Sequence, residues 1–322
     1  MYRDRVYLDS SGRYYQGNTH QHTVLSDGRL TPAEVVRRYR ARGYDFLAWS
    51  EHDLYVADRS FDSPEFITLG GCERGHLNPY PENDNPGFHL CCIEDAGCKE
   101  VKPRYQDRQP VPPPERWEGF QTVTACIRDM EERGNLVVLN HPEWHMTPFN
   151  WILENEYFAV EIYNHATERS TVSSYGTAYW DHALQHGKRL YAIAADDVHG
   201  YEDDHASCDY GGGFIVVQAE ALERKAIAAS LRTGRYYASS GPRIEALWVE
   251  GDRLHVRCSE CRLVVFKSWP QRSELVMNSH DNKPVTQASQ PLGAYMKYIR
   301  VECIDFAGQV AWSNPVFLDD LR

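Results

Sequence analysis

Two histidines one residue apart, in Asn18-Thr19-His20-Gln21-His22-Thr23, open the part of this sequence where chemistry is concentrated. On a strand, positions i and i+2 project from the same face. His20 and His22 would therefore point together, as two ligands of one metal ion must. Taken alone such a pair is as readily a surface feature. The pattern returns in Asp196-Asp197-Val198-His199 after the apolar run LYAIAA, where Asp197 and His199 share a face. Between the two lie Asp27 in Ser26-Asp27-Gly28, His52 after DFLAW, Glu73 after FITL, and His141 in Asn140-His141-Pro142 after LVVL. Imidazole and carboxylate ligands suit Zn, Fe and Mn. Burying so many ionisable groups together without a cation would cost several kcal/mol each.

The elements that must position these side chains can be read from apolar runs and breakers. Strands are expected at 14–20, 45–50, 66–70, 88–93, 136–140, 158–163, 190–195 and 213–218. Helices are expected at 31–42, 118–133, 174–186 and 219–232, each stopped by a glycine: Gly43, Gly134, Gly187 and Gly234. Thr31-Pro32-Ala33-Glu34 is a capping box with proline in the first turn. Strands alternating with such helices predict a parallel α/β architecture. His20, His52, Glu73, His141 and Asp197 each fall at or just past the C-terminal end of an apolar run. In a closed β/α barrel those ends form one rim, where such folds place chemistry.

The rhythm breaks at 94–118, which holds the proline-rich, charged run KPRYQDRQPVPPPER; loops this long are lids or disordered segments. It changes again from Ser239. There 252–257 and 298–305 alternate polar and apolar residues between Gly-containing turns, which predicts a small antiparallel β-domain, sandwich-like, over 239–322.

Composition excludes several classes. The 322 residues carry a formal net charge of −12, which disfavours a nucleic-acid polymer or an anionic membrane as partner. A small anionic substrate remains compatible, because bound cations reverse the local field. No run reaches the roughly 18 apolar residues of a membrane span, and the first residues lack a leader pattern. The nine cysteines have no framework spacing, which fits a reducing compartment and a cytoplasmic location. Cys258 and Cys261 form a C-x-x-C without a second ligand pair, and Cys91 and Cys92 read as core.

The ordered series HxH, SDG, EHD, E, H, NHP and DxH resembles the polymerase-and-histidinol-phosphatase (PHP) superfamily of metallohydrolases. YYQGNTHQHTVLSDGRLTPAEVVRRYRARGYDFLAWSEHD is similar to that family's opening, and most similar to its carbaryl-hydrolase-like branch. The C-terminal pattern GRYYASSGPRIEAL…AWSNPVFL is similar to β-domains of the same branch. The likeness covers nearly the whole chain outside 94–118. It implies a distorted (β/α)7 barrel over 1–238 and two or three divalent cations, Mn, Fe or Zn. His20 and His22, with Glu73 and Asp197, match the first cation's ligands. Glu73 matches the bridging carboxylate, with His89 and His141 completing the second site; His76 is a competitor of His89. Asp27, His52 and His199 match the third. Two departures lie beside ligands: Glu51 stands where the family has Asp before the histidine, and Gly-Gly-Cys-Glu replaces Pro-Gly-x-Glu.

The resemblance implies hydrolysis of a small phosphate mono- or diester. The expected nucleophile is a hydroxide bridging two cations about 3.5–4 Å apart, with Glu73, Asp197 and His199 at the reacting centre. Arg74 and Arg243 are candidate phosphate contacts. His145 and His165 are candidates to meet the substrate and protonate its leaving oxygen. Glu161 is either a support for a ligand or a polar residue on a half-exposed strand. The same nucleophile would attack a carboxylic or carbamate ester, and a metal-stabilised binding module without catalysis is the reading from another class.

Overall fold

The computed structural model describes residues 2–77, 88–95, 109–110, 119–172, 174–200, 208–270, 274–277 and 283–322. Most of the expected insertion at 94–118 and the His76 side chain lie outside them. In chain order come β1 (Arg5–Leu8), β2 (Tyr14–Asn18), α1 (Pro32–Ala41), β3 (Phe46–Ala48), β4 (Leu54–Tyr55), β5 (Ile67–Leu69) and β6 (Gly71–Leu77). Next are β7 (Phe88–Glu94), β8 (Gln109–Pro110), α2 (Gly119–Glu132), β9 (Asn135–Leu139), α3 (Trp151–Glu154) and β10 (Ala159–Asn164). Then follow α4 (His165–Thr171), α5 (Thr177–Gln185), β11 (Tyr191–Ala195), β12 (Phe214–Gln218), α6 (Arg224–Arg232) and β13 (Tyr236–Ser239). The rest is built on β14 (Ile244–Glu250), β15 (Arg253–Cys261), β16 (Leu263–Trp269), β17 (Glu274–Met277), β18 (Val285–Pro291), β19 (Tyr298–Ile304), β20 (Val310–Ser313) and β21 (Val316–Phe317).

Local chemistry sets these bounds. Thr31 accepts from Glu34 N and the Glu34 carboxylate accepts from Thr31 N, so α1 starts with two of its orphan donors satisfied. Gly43, Gly134, Gly187 and Gly234 all adopt positive φ just past the helices they end. β7, β9, β10 and β12 are buried along their whole length, which explains their continuous apolar runs.

The strands form two arcs. In one, β2, β3 and β5 run parallel, and β12 flanks β2 antiparallel. In the other, β9, β10 and β11 run parallel, while β7 lies antiparallel to both β6 and β9. Single bridges, Gln21 to Val198 and His52 to Glu73, link the arcs at their ends. The fold is thus mixed α/β, but the described residues do not close into the expected (β/α)7 barrel. The chain passes from β5 to β6 through Gly70 alone, with no helix between, and β7 reverses direction. Close approach makes the first step possible: a Cβ on Gly71 would stand 2.3 Å from the Cys92 carbonyl oxygen and 2.4 Å from that of Trp49. Gly71 before Cys72-Glu73 is therefore a steric requirement.

Past β13, β14, β15 and β18 form one antiparallel sheet, and β1 adds to its β14 edge. β16, β17, β19, β20 and β21 form a second, and β20 pairs with β13. That second sheet therefore continues through β13 and β12 into β2, β3 and β5. One apolar cluster, with Leu90, Val137, Val160, Ile193 and Ile215, underlies the arcs. A second joins Val35 and Tyr39 of α1 to Leu247, Val256, Val264 and Val301. Arg300, fully buried on β19, donates to both Asp181 oxygens at 2.9 Å and to Glu302 at 2.7 Å, and lies over the Trp180 ring. This bidentate fork ties α5 to the C-terminal strands.

Candidate metal centre

The candidate ligands gather at the ends of the two arcs, most of them in the loops that follow strands. After β2 the chain leaves the sheet but stays fixed. Asn18 Nδ2 donates to the His20 carbonyl, Gln21 N donates to Ser50 Oγ, and His22 N donates to the Val198 carbonyl. Asp197 N donates to the His20 carbonyl, so the first and last motifs are cross-tied through backbone. Asp27 is carried by a tight loop in which Ser26 N and Gly28 N both donate to the Thr23 carbonyl. Glu51 accepts from Thr23 N and Ser26 Oγ of that loop. The Glu51 carboxylate thus anchors the loop bearing Asp27. Glu73 lies inside β6, and not at the end of the FITL strand as expected. His89 is the second residue of β7, and the reversal of β7 is what brings its N-terminal end beside Asn140.

The side chains converge on Glu73. Its Oε2 lies 3.3 Å from His20 Nε2, 3.3 Å from His22 Nε2 and 3.2 Å from His52 Nδ1. Its Oε1 lies 3.0 Å from His89 Nδ1 and 3.5 Å from His141 Nε2. Asp197 Oδ1 is 3.1 Å from both His20 Nε2 and His22 Nε2. Asp27 Oδ2 is 3.4 Å from His52 Nε2 and 3.6 Å from His199 Nε2. Two donors bound to one ion at 2.0–2.1 Å are roughly 2.8–3.4 Å apart across octahedral and tetrahedral angles. Most of these separations fall in or near that window. Among the described residues His20 Nε2 makes no hydrogen bond, although the Glu73 and Asp197 carboxylates stand 3.3 Å and 3.1 Å from it. Among the described residues, donor atoms gather in four overlapping groups: His20/His22/Asp197, His20/Glu73/His141, His22/Asp27/His52/His199 and His89/His141/His145. The donor set and its spacing fit divalent cations.

Electrostatics agree. Burial alone would raise the Glu73 and Asp197 carboxyls, but His20 and its imidazole neighbours hold both well below the usual carboxylate range. Hydrogen bonds from His199 and His52 lower Asp27 as well. His22, which burial would keep neutral, is pushed up to about 10 by Asp197 and Glu73. His145 goes the other way: burial, then His141 and His89, bring it down to about 2. Protons therefore occupy the places cations would take, and cation binding would release them.

A surrounding layer fixes the ligands. Glu161, buried on β10, faces His20 Nδ1 at 3.0 Å and accepts from His141 N at 2.8 Å and Asn164 Nδ2 at 3.0 Å. It is a support for ligands, and not a half-exposed strand residue. Asn140 Nδ2 donates to Glu73 Oε1 at 2.7 Å, and Asn164 Nδ2 also donates to Asp197 Oδ2 at 3.0 Å. Asp196, beside Asp197, turns the opposite way and accepts from Gly211, Gly212 and Gly213 N and from Tyr39 Oη. Asp197 has φ +56° and His141 φ +21°, conformations costly enough to be held only by such ties.

A cleft of about 550 Å³ opens onto Asp27, His52, Glu73, His89, His141, Asp197 and His199. Trp144, Asp209 and one face of α4 with Arg169 complete its wall. None of the four expected substrate contacts is in that wall. Arg74 follows Glu73 on a strand, so it points to the opposite face, where it is buried near Asp53. Arg243 lines a separate cleft of about 340 Å³ with Asp45, Glu245 and Arg257. His165 packs on Gly212 and pairs with the Tyr163 hydroxyl. His145 is buried against His89 and His141. Arg169 was not legible beforehand because α4 is short, although Asn164, which accepts from Thr167 N as its N-cap, was a start signal.

No family model and no curated protein matches the chain. Among solved structures, the fold is similar to that of a two-domain protein from Bacteroides vulgatus containing a predicted PHP-like metal-dependent phosphoesterase. The TM-score is 0.51 at 16% identity, with 98% of each chain covered. A protein from Bifidobacterium adolescentis assigned as a metal-dependent phosphoesterase matches 57% of this chain and 87% of its own, at 12% identity and TM-score 0.35. An amidohydrolase from Chromobacterium violaceum, solved with sulfate and no metal, matches 60% of this chain and 90% of its own, at 16% identity and TM-score 0.35. The first likeness shows the fold alone, over nearly the whole chain. The other two are too distant to carry an argument.

Proposed function

We propose that this chain is a divalent-metal-dependent hydrolase of the PHP type, in its carbaryl-hydrolase-like branch, cleaving a small phosphate mono- or diester. The observation that carries the reading is Glu73, fully buried with one oxygen facing His20, His22 and His52 and the other facing His89 and His141. A carboxylate so divided is placed to bridge neighbouring cations. In this reading His20, His22, Asp197 and Glu73 hold one ion, Glu73, His89 and His141 a second, and Asp27, His52 and His199 a third, as Mn, Fe or Zn. When bound, such ions supply Lewis acidity and make a water acidic enough to act as nucleophile near neutral pH. The chain's own groups do the rest. Glu161 fixes the His20 ring so that Nε2 presents its lone pair to the site. Asn140 holds the Glu73 carboxylate in its bridging pose. Arg169 contacts an anionic oxygen of the substrate, and Trp144 walls the cleft. Residues 1–238 form the hydrolase unit in this proposal, with 239–322 as a sandwich-like addition, and the location is cytoplasmic. No helix of the described residues is long and apolar enough to cross a membrane.

Metal analysis of the purified protein with a panel of phosphomonoesters, phosphodiesters and aryl esters tests this. Two or three equivalents of metal and phosphate release are expected, both lost in Asp197→Asn. Turnover of aryl esters alone would move the assignment to carboxylic or carbamate esters. Absence of turnover at every metal loading would overturn it.

A further inference from the structure

We infer that His145 is a fourth protein ligand of the cation position formed by Glu73, His89 and His141, which makes that position a nitrogen-rich site for a borderline-soft ion, Zn²⁺ or Fe²⁺. The inference rests on the metallohydrolase reading above and extends it to a residue outside the motif series.

The spacing supplies the first argument. His141-Pro142-Glu143-Trp144-His145 places two histidines at i and i+4. His145 N donates to the His141 carbonyl at 3.3 Å, so the segment closes a turn that brings the two imidazoles side by side. The rings confirm the convergence. His145 is centred 4.3 Å from His89 and 5.0 Å from His141, and one ring nitrogen from each of the three lies within 4.8 Å of the others. The second argument is an unmet need. His145 is 4% exposed, and among the described residues neither of its ring nitrogens has a hydrogen-bond partner. Leaving a buried polar group unsatisfied is costly, and a cation shared with His89 and His141 would remove that cost at one nitrogen. Trp144, between the two histidines in sequence, covers the same place, with its ring centred 4.8 Å from His145 and 6.2 Å from His89. Three imidazoles and one carboxylate oxygen favour Zn²⁺ or Fe²⁺ over the oxygen-preferring Mn²⁺ and Mg²⁺.

The test compares the full chain with His145→Gln, His145→Phe and the control His165→Gln. Phe fills the ring volume without offering a lone pair, so it keeps the packing if Gln does not. Each apo-protein is titrated with Zn²⁺ against a chromophoric chelator and with Co²⁺ followed by visible absorption, with circular dichroism to check folding. The expected result is that wild type and His165→Gln behave alike. Both His145 variants should lose one tight Zn²⁺ equivalent, or bind it at least about tenfold more weakly, with a weaker Co²⁺ band. Folded His145 variants with unchanged Zn²⁺ stoichiometry, affinity and Co²⁺ spectrum would overturn this assignment and leave the hydrolase reading standing. A wild-type chain that takes up no metal would overturn both.

Discussion

Replacing Glu161 by Gln probes the centre without touching a candidate ligand. Glu161 sits under the site: one oxygen faces His20 Nδ1 at 3.0 Å, the other accepts from His141 N at 2.8 Å and Asn164 Nδ2 at 3.0 Å. A glutamine has the same shape but a single acceptor oxygen. If that oxygen stays with the His141 and Asn164 donors, the new amide NH₂ faces His20 Nδ1 and favours the tautomer that protonates Nε2. The Nε2 lone pair would then be lost to the cation. A hydrogen bond to a charged partner is worth about 1.5–3 kcal/mol. At 1.4 kcal/mol per factor of ten, cation affinity at the His20 position should fall roughly 10- to 100-fold, the range seen when groups behind metal-bound histidines are removed. Competition with a chelator of known affinity measures it, with thermal melting of the apo-protein as the folding control. Unchanged affinity at every site in a folded Glu161→Gln protein would refute the reasoning.

Metal uptake should release protons at pH 7, because His22 is pushed up to about 10 in the metal-free fold and must become neutral to bind. Affinity should therefore rise with pH until about 10; calorimetry in buffers of different ionisation enthalpy would show no proton release if the account is wrong. Arg169→Ala should raise KM for a phosphoester about tenfold or more while leaving bound metal unchanged, and an unchanged KM would remove Arg169 from the substrate contacts. Arg300→Met should cost about 3 kcal/mol in urea unfolding, since it strips the shared partner from Asp181 and Glu302; a loss under about 1 kcal/mol would mean the fork is dispensable.

Much of the arrangement was legible because the ligands lie where apolar runs stop. All eight expected strands form, their ends within about two residues, and the capping box at Thr31 is as read. What was not legible is tertiary. Nothing local says that Gly70 and Gly71 let the chain run straight from β5 into β6, so Glu73 was expected at a strand end. Nor does the run Phe88–Glu94 announce its direction, and only that reversal explains why His89, at the start of its strand, meets His141. Arg74 stands next to Glu73 in sequence, and Arg243 at the expected junction with the C-terminal β-domain. Alternation on a strand sends Arg74 away from Glu73, and Arg243 opens onto another cleft. β1 could not be placed from sequence, since its partner β14 lies more than two hundred residues away in the chain.

The central claim is that Glu73 stands between adjacent cations. Anomalous diffraction from crystals of the full chain grown with Mn²⁺ or Zn²⁺ tests it most directly. The account predicts two peaks about 3.5–4 Å apart, one on each side of the Glu73 carboxylate and within bonding distance of His20 and His22 on one side and His89 and His141 on the other. A cleft with no peak at saturating metal, or a lone peak remote from Glu73, would contradict it.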